Sequence, residues 1–113
     1  MKRLIKPLVL ALSLSTLSIS TWAASITAVR SWRAPDNTRL VLDLSEKTSY
    51  RQINGQNKQI IIELDNTDTS VSTLNLPSRV GLIQNVLLEK NGDKQRLIIN
   101  LSDEVRPHIF MLA

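Results

Sequence analysis

The stretch RLVLDLS, residues 39–45, returns 57 residues later as RLIINLS, residues 96–102. The register extends outwards: Ile26 falls on Ile83, Val29 on Val86, Arg33 on Lys90, Asp36 on Asp93 and Glu46 on Asp103. A fixed offset means that one supersecondary unit is used twice. Two copies are too few for a solenoid, which needs three or more to bury a continuous core. The reading is a single all-β domain, a β-sandwich of two pseudo-symmetric sheets.

No segment after residue 23 carries a helical period. What recurs is short apolar alternation punctuated by turn residues, the pattern of a sandwich or barrel. Ile26–Arg33 reads as a strand closed by Ala34-Pro35-Asp36-Asn37, in which Pro35 presets φ and the Asx side chains bond their own backbone. Arg39–Leu44 places Leu40, Leu42 and Leu44 on one face and Arg39, Val41 and Asp43 on the other. Tyr50–Ile53 and the run Lys58–Asp65 flank Asn54-Gly55, a hairpin signal because Asn-Gly favours a φ > 0 turn. The second copy repeats strand, turn and strand over Ile83–Lys90, Asn91-Gly92-Asp93 and Gln95–Leu101, and a third strand is expected over His108–Leu112. Polar Asn66–Ser78 links the copies, with a short strand expected around Val71–Leu76. Adding 57 to residues 58–65 gives 115–122, beyond Ala113. The reading therefore expects the last strand of the second copy to be missing, a gene product that continues, and an unpaired sheet edge that invites association.

The N-terminus has the layout of a secretory leader: Lys2, Arg3 and Lys6, then apolar Leu8–Leu17, then Thr21-Trp22-Ala23 with small residues at −3 and −1. Residues 1–23 are expected to be a signal peptide and residues 24–113 the exported, periplasmic domain. The apolar stretch falls well short of the ~20 residues of a membrane span. Removing the leader takes three of 14 basic residues and none of 10 acidic ones, so the net charge drops from +4 to about +1. A nucleic-acid partner asks for a strongly basic domain, and that class is set aside. With no cysteine, neither a disulfide framework nor a lipid-modified cysteine is available.

Catalytic chemistry is not expected in this chain. A catalytic zinc needs about three protein ligands and an open position, and there is one histidine, His108, with scattered carboxylates. Ser102, His108 and Asp103 are the right residue types for a triad, but no G-x-S-x-G elbow accompanies them. No catalytic and no metal-binding residue is assigned.

The opening I-x-x-V-R-x-W from Ile26, the string TRLVLDLS from Thr38 and the strand IIIELD from Ile60 resemble the AMIN domain, over residues 26–113. That is the N-terminal, non-catalytic module of exported bacterial N-acetylmuramoyl-L-alanine amidases, and similar domains occur in type IV pilus secretins. The resemblance implies two symmetric four-stranded sheets, peptidoglycan as the partner and targeting to the division septum. It also places zinc-dependent hydrolysis, and the zinc itself, in a separate domain beyond residue 113. Two other readings stay open: the wall-anchoring domain of a secretin, and a module that binds a division or envelope protein.

For wall contact the candidate residues are Arg30, Trp32 and Arg33, with Arg39 across the first turn. Arginine can fork onto a stem-peptide carboxylate and an indole can stack on a sugar ring. Arg30 and Trp32 share a strand face if no bulge intervenes. In the competing structural reading, Trp32 is core and the arginines pair with Asp36, Asp43 or Glu46. Arg39 and Arg96 recur at the repeat offset, which points to a shared structural job.

Overall fold

Ile26 and Val29 are three residues apart, yet both are buried. A regular strand with a period of two cannot do that. A bulge between Ile26 and Ala28 supplies the extra residue, and the same irregularity sits between Ile83 and Asn85. The I-x-x-V spacing is thus the sequence form of a bulge that brings two apolar side chains to one face.

The structure is a computed structural model that describes residues 6–14, 24–69 and 76–112. Its strands are β1 (Lys6–Leu14), β2 (Ala24–Arg33), β3 (Thr38–Leu44), β4 (Tyr50–Asn54), β5 (Gln59–Leu64), β6 (Thr67–Thr69), β7 (Ser78–Val80), β8 (Ile83–Asn91), β9 (Lys94–Leu101) and β10 (Val105–Leu112). They form two sheets packed as a sandwich, in the orders β10-β1-β3-β2-β6 and β4-β5-β9-β8-β7. The hairpins β2–β3 and β8–β9 share one register. Val29 opposes Leu42 as Val86 opposes Ile99, and Trp32 opposes Arg39 as Glu89 opposes Arg96. Adding 57 to both members of the first pair gives the second in each case.

Between the sheets lies a core of aliphatic side chains. Leu40, Leu42 and Leu44 on β3 meet Ile60, Ile62 and Leu64 on β5 and Leu97, Ile99 and Leu101 on β9, all buried. Strand β9 alternates without a break, Gln95, Leu97, Ile99 and Leu101 inward and the residues between them half-buried outside.

Two turns differ in detail from the Asn-Gly expectation. Gly92-Asp93 is a two-residue loop between the paired residues Asn91 and Lys94, with Gly92 at φ 67. Positive φ at the first central residue suits a type II′ hairpin. After Asn54, however, the chain takes a longer loop in which the left-handed residue is Lys58, φ 61, and not Gly55. The Gln59 Oε1 accepts the Gln56 backbone N–H at 3.0 Å and closes that loop from within. A local side chain therefore overrides the dipeptide preference.

The position left for the missing strand is filled. Lys6–Leu14, the apolar segment read as part of a leader, is β1 in the uncut chain and lies between β3 and β10, parallel to both. The expected open edge at that place does not exist here. The expected cleavage after Ala23 and most of the expected strand around Val71–Leu76 lie outside the described residues.

Candidate functional site

Strand register lays out the outer face of the first sheet row by row. One row runs His108, Val9, Arg39, Trp32 across β10, β1, β3 and β2; the next runs Phe110, Ala11, Val41, Arg30. At a strand spacing of about 4.8 Å, four strands present a surface about 15 Å wide. The bulge lies upstream of Arg30, so Arg30 and Trp32 share this face as parity requires.

Trp32 is 40 % exposed and so is not core. Arg30 is held by Asp43, its Nε donating to Oδ2 at 2.9 Å and its Nη2 to Oδ1 at 3.0 Å. This bidentate fork on the edge of the face fixes the guanidinium plane. Arg39, beside Trp32, makes no ion pair or side-chain hydrogen bond among the described residues. The His108 and Phe110 rings stand 5.1 Å apart at 49°, an apolar flank to the same surface.

Arg33 does not join them. One residue beyond Trp32, it opposes Thr38 at the end of the hairpin and lines a recess with Pro35, Asp36, Asn37 and Gly81. The four arginine and tryptophan candidates thus divide into a flat cluster of Arg30, Trp32 and Arg39 and a separate Arg33 at the sheet end. In the recess, Asn37 Oδ1 is buried without a hydrogen-bond partner among the described residues.

The opposite face shows what is particular to this one. Its equivalent rows are Arg51, Glu63, Arg96, Glu89 and Ile53, Ile61, Ile98, Leu87. Arg96 occupies the position of Arg39, but it donates from Nε to Glu63 Oε2 at 2.8 Å. Arg51 donates to Glu63 Oε1 from Nε at 3.0 Å and also from Nη2. The shared structural job expected of Arg39 and Arg96 does not hold, because Val9 stands beside Arg39 where Glu63 stands beside Arg96. Trp32 is likewise replaced by Glu89. One face is neutralised internally; on the other, Arg39 has no side-chain partner among the described residues and stands beside an exposed indole.

Glu63 was not singled out from sequence, although a lone acid in the aliphatic run IIIEL carries a signal. Its side chain is fully covered while Arg51 and Arg96 remain partly exposed. The Arg96 hydrogen bond is the largest influence and holds its carboxyl below the ordinary value of 4.5; burial opposes this, and Arg51 adds to the lowering. A carboxyl depressed by folding stabilises above its unfolded pKa, and that stabilisation is lost as pH falls through the folded value. The thermal stability of the wild type should therefore exceed that of Glu63→Gln near pH 7, and the gap should narrow as pH falls below the unfolded value towards the lowered folded one. Thermal unfolding across the acid range checks it; a gap that stays constant from pH 7 to pH 3 contradicts the assignment.

Among the described residues no three His, Cys, Asp or Glu side chains group as metal ligands, and no helix is long and apolar enough to cross a membrane. The face can bind, through an arginine that pairs with carboxylates and an aromatic plane that packs on apolar ring faces. Comparison with curated proteins and with solved structures returns no match. The family model for the AMIN domain matches residues 28–113, through every strand from β3 to β10 and most of β2. AMIN domains are peptidoglycan-binding targeting modules of amidases and secretins and occur in exported periplasmic proteins. With that match over most of its length, and with the two-sheet fold it encodes, the chain belongs to the AMIN domain family.

Proposed function

We propose that this chain is the peptidoglycan-binding, septum-targeting module of an exported N-acetylmuramoyl-L-alanine amidase that acts in cell-wall hydrolysis and daughter-cell separation. Wall contact is made by Arg30, Trp32 and Arg39 on the outer face of β2 and β3. The observation that carries the reading is Arg39, without a side-chain partner among the described residues, beside exposed Trp32, at the position where the other sheet neutralises its arginine. Arg39 receives a stem-peptide carboxylate, and Trp32 packs against a sugar ring. All three residues sit on strands after residue 23, so removal of residues 1–23 as a signal peptide leaves them in place.

Hydrolysis belongs to a different domain. The described residues do not fit a zinc site, and the zinc of such an amidase would be held elsewhere in the parent protein. What the module supplies is effective concentration: weak binding, once tethered, keeps a catalytic domain near a polymeric substrate. With a net charge of about +1 after residue 23, attraction to an anionic wall rests on local contacts more than on the overall field. Wall anchoring of a pilus secretin would use the same face.

One observation favours a second reading, a protein-binding envelope module. The row Ile53, Ile61, Ile98 and Leu87 crosses the outer face of the second sheet, and Leu87 is 50 % exposed. Aliphatic side chains in a continuous row suit a protein partner better than a glycan. Co-sedimentation with sacculi, before and after wall-associated proteins are stripped, separates the two. The wall reading expects retention on both; retention only on unstripped sacculi gives the function to a protein partner.

A further inference from the structure

Rows of side chains cross the outer face of the second sheet. Over β4, β5, β9 and β8 one row reads Arg51, Glu63, Arg96, Glu89, an alternation of charge, and the next reads Ile53, Ile61, Ile98, Leu87. A third is an amide ladder: Gln59 Nε2 donates to Asn100 Oδ1 at 3.0 Å, and Asn100 Nδ2 donates to Asn85 Oδ1 at 2.8 Å. On the other side of the charged row, Lys94 donates to Asp65 at 2.7 Å, so a base again stands on β9 and an acid at the end of β5.

Reversing the alternation gives its complement. A two-fold axis parallel to the strands, between β5 and β9, lays β4 on β8 and β5 on β9 of a second copy. Arg51 then meets Glu89, Glu63 meets Arg96 and Asp65 meets Lys94 of the other copy. Each apolar residue meets an apolar one, Ile53 on Leu87 and Ile61 on Ile98. A crosswise two-fold, with the apolar rows in contact, lays the charged row on the amide row and answers none of its charges. Glu89 makes no ion pair or side-chain hydrogen bond among the described residues. Arg51 reaches Glu63 through Nε and Nη2, which leaves Nη1 for another acceptor. Both ends of the row thus have capacity for a partner.

We propose that the outer face of the second sheet is a self-association surface, and that its partner is a second copy of this chain related by the two-fold along the strands. An isologous contact makes each pairing twice, so an alternating row becomes selective for itself. The aliphatic row, with half-exposed Leu87, supplies affinity. The charged row sets orientation and rejects other registers. Four strands about 4.8 Å apart and four rows about 6.8 Å apart bury on the order of 1,000 Å² in the pair, the small end of specific interfaces. The association is therefore weak and transient. Every residue it uses lies between Arg51 and Asn100, and it gives the protein-binding reading of this row a definite partner. The outer faces of β2 and β3 stay uncovered on the two outsides of the pair, so wall contact does not depend on it.

Sedimentation equilibrium of the full chain, from low micromolar to near-millimolar concentration, reads the association. The wild type is expected to pass from monomer to dimer across that range. Leu87→Asp and Glu89→Arg should each weaken the dimer by about tenfold or more, one by burying a charge among aliphatics and the other by setting a second cation against Arg51. Both side chains are exposed, so unchanged melting separates a lost contact from a lost fold. High salt should return part of the Glu89→Arg dimer, because it screens the repulsion. The sequence has no cysteine, so thiols can be placed one at a time. Ile53→Cys and Leu87→Cys chains, mixed and treated with a short bismaleimide, should cross-link faster than either does alone, since like positions lie about 15 Å apart across the sheet. A wild type that stays monomeric throughout overturns the proposal and passes the row to a different protein. A dimer that survives both Leu87→Asp and Glu89→Arg overturns it too, as does cross-linking no faster in the mixture than alone.

Discussion

Leu97→Ala is expected to cost about 3–4 kcal/mol and to lower the melting temperature by about 15 °C or more. Leu97 is fully buried on a central strand, opposing Ile62 on one side and Leu88 on the other. Its loss removes transfer free energy and leaves a cavity that two hydrogen-bonded sheets cannot easily close. Leu87→Ala, ten residues away in sequence on the neighbouring strand, should stay within about 0.5 kcal/mol, since its side chain is half exposed on the outer face. Chemical denaturation of both variants checks the pair. A similar cost at the two positions would mean that the inward and outward faces are misassigned.

Gly81→Ala should destabilise by about 2–4 kcal/mol, through backbone and packing together. Gly81 has φ +54, a conformation that costs an L-residue about 1–2 kcal/mol. A Cβ there would also be driven into Thr38 Oγ1 and lie 3.2 Å from its Cγ2. Thr38 cannot turn away without loss, because the buried Oγ1 accepts the Leu82 backbone N–H at 3.0 Å. That hydrogen bond ties the start of β3 to the turn before β8, so it links the two sheets. Gly92→Ala offers the contrast: its φ is also positive, but open space surrounds the added carbon. The loss there should be smaller by about half. Equal losses would place the whole effect of Gly81 in the backbone and remove the role given to Thr38.

These two positions show how far reading the sequence reaches. Leu97 and its counterpart Leu40 were assignable to the core from alternation and from the repeat alone, and the repeat also carried the equivalence of the hairpins. The bulge behind I-x-x-V was present in the spacing twice but reads as a bulge only once both residues are known to be buried. The meeting of Gly81 with Thr38 depends on contact across 43 positions of sequence, which no local pattern encodes. Arg30, Trp32 and Arg39 came together because parity on two adjacent strands suffices to place them. Arg33 fell away for the same reason, since one step along a strand reverses the face. The different fates of Arg39 and Arg96 were beyond reach: identical residues at equivalent positions differ through a third strand, which brings Glu63 to one and Val9 to the other.

Wall binding is proposed for the outer face of β2 and β3. Its most direct test is co-sedimentation of the full chain with protein-free sacculi, comparing Trp32→Ala, Arg39→Ala and Leu87→Asp, each first shown to keep the wild-type melting transition. The first two are expected to lose most retention, and Leu87→Asp, on the opposite face, to keep it. Undiminished retention of Trp32→Ala and Arg39→Ala, or loss confined to Leu87→Asp, would contradict it.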